Sequence, residues 1–332
     1  MSTPTGPANG LPVRMPRPRP SGRHRRPDPA AAPEGAPALV LAVPGAPSAA
    51  IRSLAEELVS IARSELPGLE AAIGFVDGDG EEYPTLTGVL TAAAELREER
   101  YRIAVAAGRE VEAPQGPAAI VVPLLAGPDS AVMRQVRQAV MDSGNTAELT
   151  DVLGPHPLLA EALHVRLSEA GLARADRARL FTVATAADGI VLATVGGEEA
   201  VQAAGITGML LAARLAVPVM AAALDQEGSI ASVAEQLREA GAVQLALAPY
   251  LIGPELAEGL LDEASKEAGC PAAEALGAYP AIGKLILSQY SAVLGLPQQG
   301  VDRGRHPPHH AHPPPRPDAL LPPAPRLRPP AV

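Results

Sequence analysis

The chain has 332 residues, a formal net charge of −10 and a single cysteine, Cys270. One cysteine excludes a disulfide framework and a thiolate metal cluster. The first 37 residues carry six Arg against Asp28 and Glu34 (+4), and residues 301 to 332 carry five Arg against Asp302 and Asp318 (+3), which leaves −17 on the residues between; a body that acidic argues against a nucleic-acid-binding surface on the fold.

Residues 1–37 are rich in Pro, Arg and Gly and nearly free of large apolar side chains, and so are residues 297–332. Neither stretch offers enough apolar surface to offset chain entropy, so both are expected to be disordered. The N-terminal arginines precede no apolar segment of the signal-peptide kind. The longest apolar run is broken by Arg214 and Pro218, so no membrane span is expected. A cytoplasmic protein is the resulting expectation.

Between the tails, apolar runs and helical periodicities alternate. Ala38 to Val43 reads as a buried parallel strand stopped by Pro44-Gly45. Ser48 is placed to cap a helix with apolar residues at Ile51, Leu54, Leu58 and Ile61. A strand follows near Ala71 to Val76, then an acidic loop from Asp77 to Glu82, then a helix over 85–107. The first half closes with a strand over 118–125, a helix over 129–143, a strand over 147–152 and a helix over 157–170. The second half is expected to run strand 190–194, helix 198–215, strand 217–222, helix 229–240, strand 244–248, helix 254–268, short strand 273–276 and helix 281–294. Strict alternation of this kind implies parallel sheets covered by helices on both faces.

Three phrases recur in the same order. V-L-A-V-P-G at Val40 echoes V-L-A-T-V-G-G at Val191, V-V-P-L-L-A-G-P at Val121 echoes L-A-P-Y-L-I-G-P at Leu247, and V-L-G-P-H-P-L-L-A-E-A-L at Val152 echoes A-L-G-A-Y-P-A-I-G-K-L-I-L at Ala275. Ordered echoes mean two copies of one supersecondary plan. The fold class expected is α/β, two tandem flavodoxin-like parallel-sheet units, over 38–182 and 183–296. Ligands in such sheets bind beyond the strands' carboxyl ends. The loops after those ends are Pro44-Gly45, Asp77 to Glu82, Ala126 to Ser130, Gly196-Gly197 and Leu251 to Pro254.

The order of these phrases, with G-F-V-D and Pro-Thr-Leu between the first two, resembles the sirohydrochlorin chelatases, in a two-repeat form over roughly 38–296. The resemblance implies a flavodoxin-like chelatase unit in each half, a tetrapyrrole ligand, and insertion of cobalt or iron in cobalamin or sirohaem metabolism. It also implies a cleft lined by Pro44, Gly45, Asp77, Gly127, Pro128, Gly196 and Gly253. The family uses two facing histidines, whose imidazoles hold the metal and take up the pyrrole protons. Here Pro44 and Ala131 stand at those two positions, so a degenerate site is expected, with a non-catalytic ligand- or partner-binding relative as the alternative. Asp77 is the carboxylate that could stand in. No resident cofactor is expected beyond a divalent metal, cobalt or iron, and the sequence leaves the oligomeric state open.

The remaining candidates have bland readings beside the functional ones. His156 is read as packing or capping and His164 as a partly exposed helix residue. Asp77 to Glu82 opens like a calcium loop, but the twelfth position is Gly88 rather than the bidentate Glu such a loop needs. Gly196-Gly197 has the geometry of a weak phosphate cradle. His306, His309, His310 and His312 form a tail cluster that could bind a divalent metal weakly.

Overall fold

The computed structural model describes residues 31–173, 187–253, 257 and 259–296. The expected tails 1–30 and 297–332 lie outside the described residues. Residues 31–37, grouped with the N-terminal tail above, are described and rest on the body: the Ala32 N–H donates to the Pro67 carbonyl at 2.9 Å. No described helix is long and apolar enough to cross a membrane.

The first half contains β1 (Ala38–Val43), α1 (Ala49–Glu65), β2 (Ala71–Phe75), α2 (Leu86–Ala106), β3 (Ala119–Pro123), α3 (Ser130–Asp142), β4 (Ala147–Leu149) and α4 (Pro157–Glu169). The second contains β5 (Gly189–Thr194), α5 (Gly197–Leu215), β6 (Val219–Ala223), α6 (Ser229–Glu239), β7 (Leu245–Pro249), α7 (Leu260–Ala268) and α8 (Pro280–Val293). The fold is α/β, with two wholly parallel sheets ordered β2-β1-β3-β4 and β6-β5-β7. The echoed phrases occupy equivalent places. Pro123 and Pro249 end the third strand of each half, and Pro157 and Pro280 each sit in the first turn of its last helix, where a missing N–H costs nothing.

Strand pleating divides the core into three. Leu39, Leu41 and Val43 of β1 face the same central core as Ile190 and Leu192 of β5, filled by α1 and α4 from one half and α5 and α8 from the other. Val40 and Ala42 point outward to α2 and α3, and Val191 and Ala193 point outward to α6 and α7. Burial on both faces is why β1 and β5 are uninterrupted apolar runs rather than alternating ones. The order is therefore helices, sheet, shared helices, sheet, helices. Because the central layer is shared, the two halves have one core between them.

Helix starts follow local chemistry. Ser48 Oγ accepts from the Ile51 N–H at 3.3 Å, Thr85 Oγ1 from Gly88 at 3.1 Å, and Asp129 Oδ1 from Ala131 and Val132, both at 2.9 Å. Two expectations need correction. The strand over 273–276 is not formed, and a single bridge joins Leu247 to Ala272 in its place. The backbone there still bonds β7, through Ala273 N–H to Leu247 O at 2.8 Å, but Pro271 has no N–H to extend a ladder. The helix expected over 254–268 is described only from Leu260, after Gly259 in a left-handed conformation (φ 81°); residues 254–256 lie outside the described residues.

Candidate functional site

The carboxyl ends of both sheets open toward the same region, and there the loops of one half lie directly on those of the other. Gly127, after β3, sits so close to Tyr250 and Thr194 that a Cβ added to it would be 3.3 Å from the tyrosine ring. Gly196, after β5, lies against the Pro128 carbonyl and the Asp129 Cα; an added Cβ would stand 2.6 Å from Pro128 O, and its φ of 110° already excludes most side chains. Gly253, after β7, lies against Leu54 of α1. Ser130 Oγ donates to Glu199 Oε2 at 2.9 Å across the same seam. Every glycine proposed as cleft-lining, Gly45 excepted, is thus seen in contact with the opposite half.

Tyr250 is at the centre of the seam. It is wholly buried, and its hydroxyl accepts a hydrogen bond from Thr207 Oγ1 of α5 at 3.1 Å. The ring also abuts Gly154, where any side chain would collide with the phenol oxygen. Burial pushes the phenol up to about 12, so it stays neutral and cannot act as a base near neutral pH. The echo aligns Tyr250 with Leu124 of the first half, which is equally buried. A tyrosine in one copy where the other has a leucine is the sequence signal for this residue.

The two histidine positions are unlike each other. Pro44 is buried at the end of β1, followed by Gly45 with φ 78°. Ala131 is exposed in the first turn of α3, with its N–H given to Asp129. Neither has a polar side-chain atom. Asp77 is exposed after β2. Its neighbour Asp79 organises the loop, accepting from the Glu81 N–H at 2.9 Å and the Tyr83 N–H at 2.8 Å. These N–H donors, that of Tyr83 foremost, hold the Asp79 carboxyl below its usual value. Tyr83 stacks edge-on to Phe75 at 5.4 Å, with Arg52 4.6 Å above its ring. The acidic loop closes on itself.

His156 caps α4, its Nδ1 accepting from the Leu158 N–H at 3.1 Å, and burial holds its imidazole below the ordinary value. His164 differs from expectation. It is 6% exposed, and its Nδ1 accepts from Arg214 Nε of α5 at 2.8 Å. The cause is architectural: α4 lies in the shared layer, so the side that an isolated unit would leave in water faces the second half. Gly196 and Gly197, the weak phosphate cradle, give their N–H groups to Asp225 Oδ2 at 3.0 and 3.2 Å. The chain's own carboxylate therefore occupies the place an anion would take.

Among the described residues, no group of three His, Cys, Asp or Glu side chains is placed to hold a metal ion. His306, His309, His310 and His312 lie outside the described residues. The donor set at the seam is made of hydroxyls and of carboxylates already engaged, Glu199 by Ser130, Asp129 by the first turn of α3 and Asp225 by Gly196 and Gly197, and it does not fit a resident divalent metal.

No family model matches the chain, and no curated protein does. Among solved structures, the sirohydrochlorin chelatase SirB from Bacillus subtilis subspecies spizizenii, in complex with cobalt, aligns with 76% of this chain and 94% of its own, at 12% identity and a TM-score of 0.49. A periplasmic ribose ABC transporter from Conexibacter woesei DSM 14684 aligns with 66% of this chain and 65% of its own, at 15% identity and a TM-score of 0.26.

Proposed function

We propose that this chain is a chelatase-like protein with a degenerate site, a non-catalytic relative that does not insert metal into a tetrapyrrole. The ordered phrases shared by the two halves support the relationship, together with two parallel sheets whose first three strands follow one order. One observation carries the loss of activity. The two positions where the resemblance calls for imidazole hold Pro44, buried, and Ala131, whose N–H is given to Asp129, and the loop leading to Ala131 meets Tyr250 of the other half at Gly127.

The chemistry explains the weight placed on those positions. Metal insertion needs a base for the departing pyrrole protons and a ligand that releases the metal, and imidazole performs both near neutral pH. Proline and alanine perform neither. Asp77 is an exposed carboxylate after β2, a single group where the family's step uses two facing imidazoles. The chain's ligand, on this reading, is bound without being transformed, and a tetrapyrrole of the sirohydrochlorin class is the first to test.

The test is to titrate the purified full chain with sirohydrochlorin by visible absorbance, then add Co²⁺ or Fe²⁺ and follow metallation. The expected rate equals that without protein. Metallation well above that background, abolished by Asp77→Asn, would overturn the reading and make Asp77 the replacement ligand.

A further inference from the structure

A groove of about 840 Å³ opens at the N-terminal ends of β1 and β3, the opposite end of the first sheet from the seam. Its lining is apolar at Ala38, Ala104, Ala118 and Leu294, and ion pairs Arg100–Glu70 and Arg109–Glu34 stand at its rim. Two of its charges have no ion-pair partner among the described residues. Arg97 gives its terminal N–H groups to the carbonyls of Gly35, Gln115, Gly116 and Pro117, and its buried Nε has no acceptor. Glu112 is the other. Leu296, the last described residue, is itself part of the wall.

We propose that the start of the C-terminal segment, Pro297 to Arg305, docks in this groove. The chain leaves the fold on the groove's wall, and 36 residues follow. The first aliphatic side chain beyond Leu296 is Val301, within about 18 Å along an extended chain, which spans at most roughly 3.6 Å per residue. It is the side chain an apolar floor takes. Asp302 and Arg303 come next and are opposite in charge to Arg97 and Glu112, which have no ion-pair partner among the described residues. The N-terminal segment also leaves nearby, at Ala32, but it has no aliphatic side chain larger than alanine between Met15 and Ala31. Docking would strap the end of the second half across the first, and it stands independently of the function proposed above.

Thiol labelling of the full chain tests this. In a Cys270→Ala background, Val111→Cys places a single thiol on the groove wall. With the segment docked, adding Val301→Glu speeds maleimide labelling of that thiol about tenfold or more, as expected when a cover is lost. Equal rates with and without Val301→Glu overturn the proposal. So does acceleration by Met15→Glu in its place, which assigns the groove to the N-terminal segment, and so does protection that weakens on dilution, which assigns it to a second copy.

Discussion

Thr207 of α5 donates its hydroxyl hydrogen to the Tyr250 phenol oxygen at 3.1 Å, and both residues are fully buried. Tyr250 follows β7, while its ring presses on Gly127 and Gly154 of the other half. The pair thus holds the ring in the seam where the strand ends of both halves meet. Removing the phenol oxygen alone, by Tyr250→Phe, leaves the Thr207 hydroxyl without its acceptor and costs about 1–2 kcal/mol. Tyr250→Ala removes the ring as well and costs about 3–5 kcal/mol. Denaturant unfolding of the two variants checks this, and an alanine variant within about 1 kcal/mol of the parent would mean that the seam collapses without cost.

Tyr250 and Tyr290 both have phenols pushed up to about 12 by burial, from a usual 10. In the unfolded chain they lose their protons first, so stability is intact below pH 10 and falls between pH 10 and 12. Tyr290→Phe, which also removes the bond from its hydroxyl to the Pro37 carbonyl at 2.8 Å, should shallow that fall. A pH-melting series on parent and variant gives the comparison, and parallel curves above pH 10 would contradict it.

His156 sets an acid-side dependence. Its imidazole is held below its usual 6.5 by burial, and Nδ1 must be unprotonated to accept from Leu158. A lowered histidine stabilises above its unfolded value and loses that contribution as pH falls below about 6.5. His156→Asn keeps a capping acceptor without titrating, and should therefore lose less stability than the parent between pH 7 and 5. An identical loss in both would remove His156 as the cause.

Gly196→Ala should destabilise the chain by roughly 2 kcal/mol or more. A left-handed alanine costs about 1–2 kcal/mol by itself, and the contact with Pro128 O adds to it. Gly197→Ala also meets a positive φ (72°) but has open space around it, so it should cost less. Equal losses in the two variants would show that the seam at Pro128 yields freely.

Pro44→His with Ala131→His restores both imidazoles the resemblance calls for. With Tyr250 in the seam, the pair should leave cobalt insertion into sirohydrochlorin at background, whereas an open cleft would let the pair raise it. Measured insertion by the double variant, followed by absorbance, would show that the seam opens in solution.

The amino-acid order alone determined the fold class and the alternation of elements, though not the shared central layer or the loss of the strand expected over 273–276. Uninterrupted apolar strands such as Ala38 to Val43 and capped amphipathic helices such as the one after Ser48 are local signals. The repeated phrases then require the same unit twice, because a strand buried on both faces and a helix with one apolar stripe have few other ways to pack. Capping by His156 was also legible, since G-P-H-P places it just before a proline-initiated helix. Tertiary structure alone decided what the site holds. Whether Gly127 faces an open cleft or a tyrosine depends on a residue 123 positions later, and the burial of His164 depends on Arg214 of the other half. Likewise Gly196 and Gly197 look free for an anion until Asp225 takes their N–H groups. Periodicity reports which face of an element is apolar. It does not report which partner covers that face, and in this chain the partner of each half is the other half.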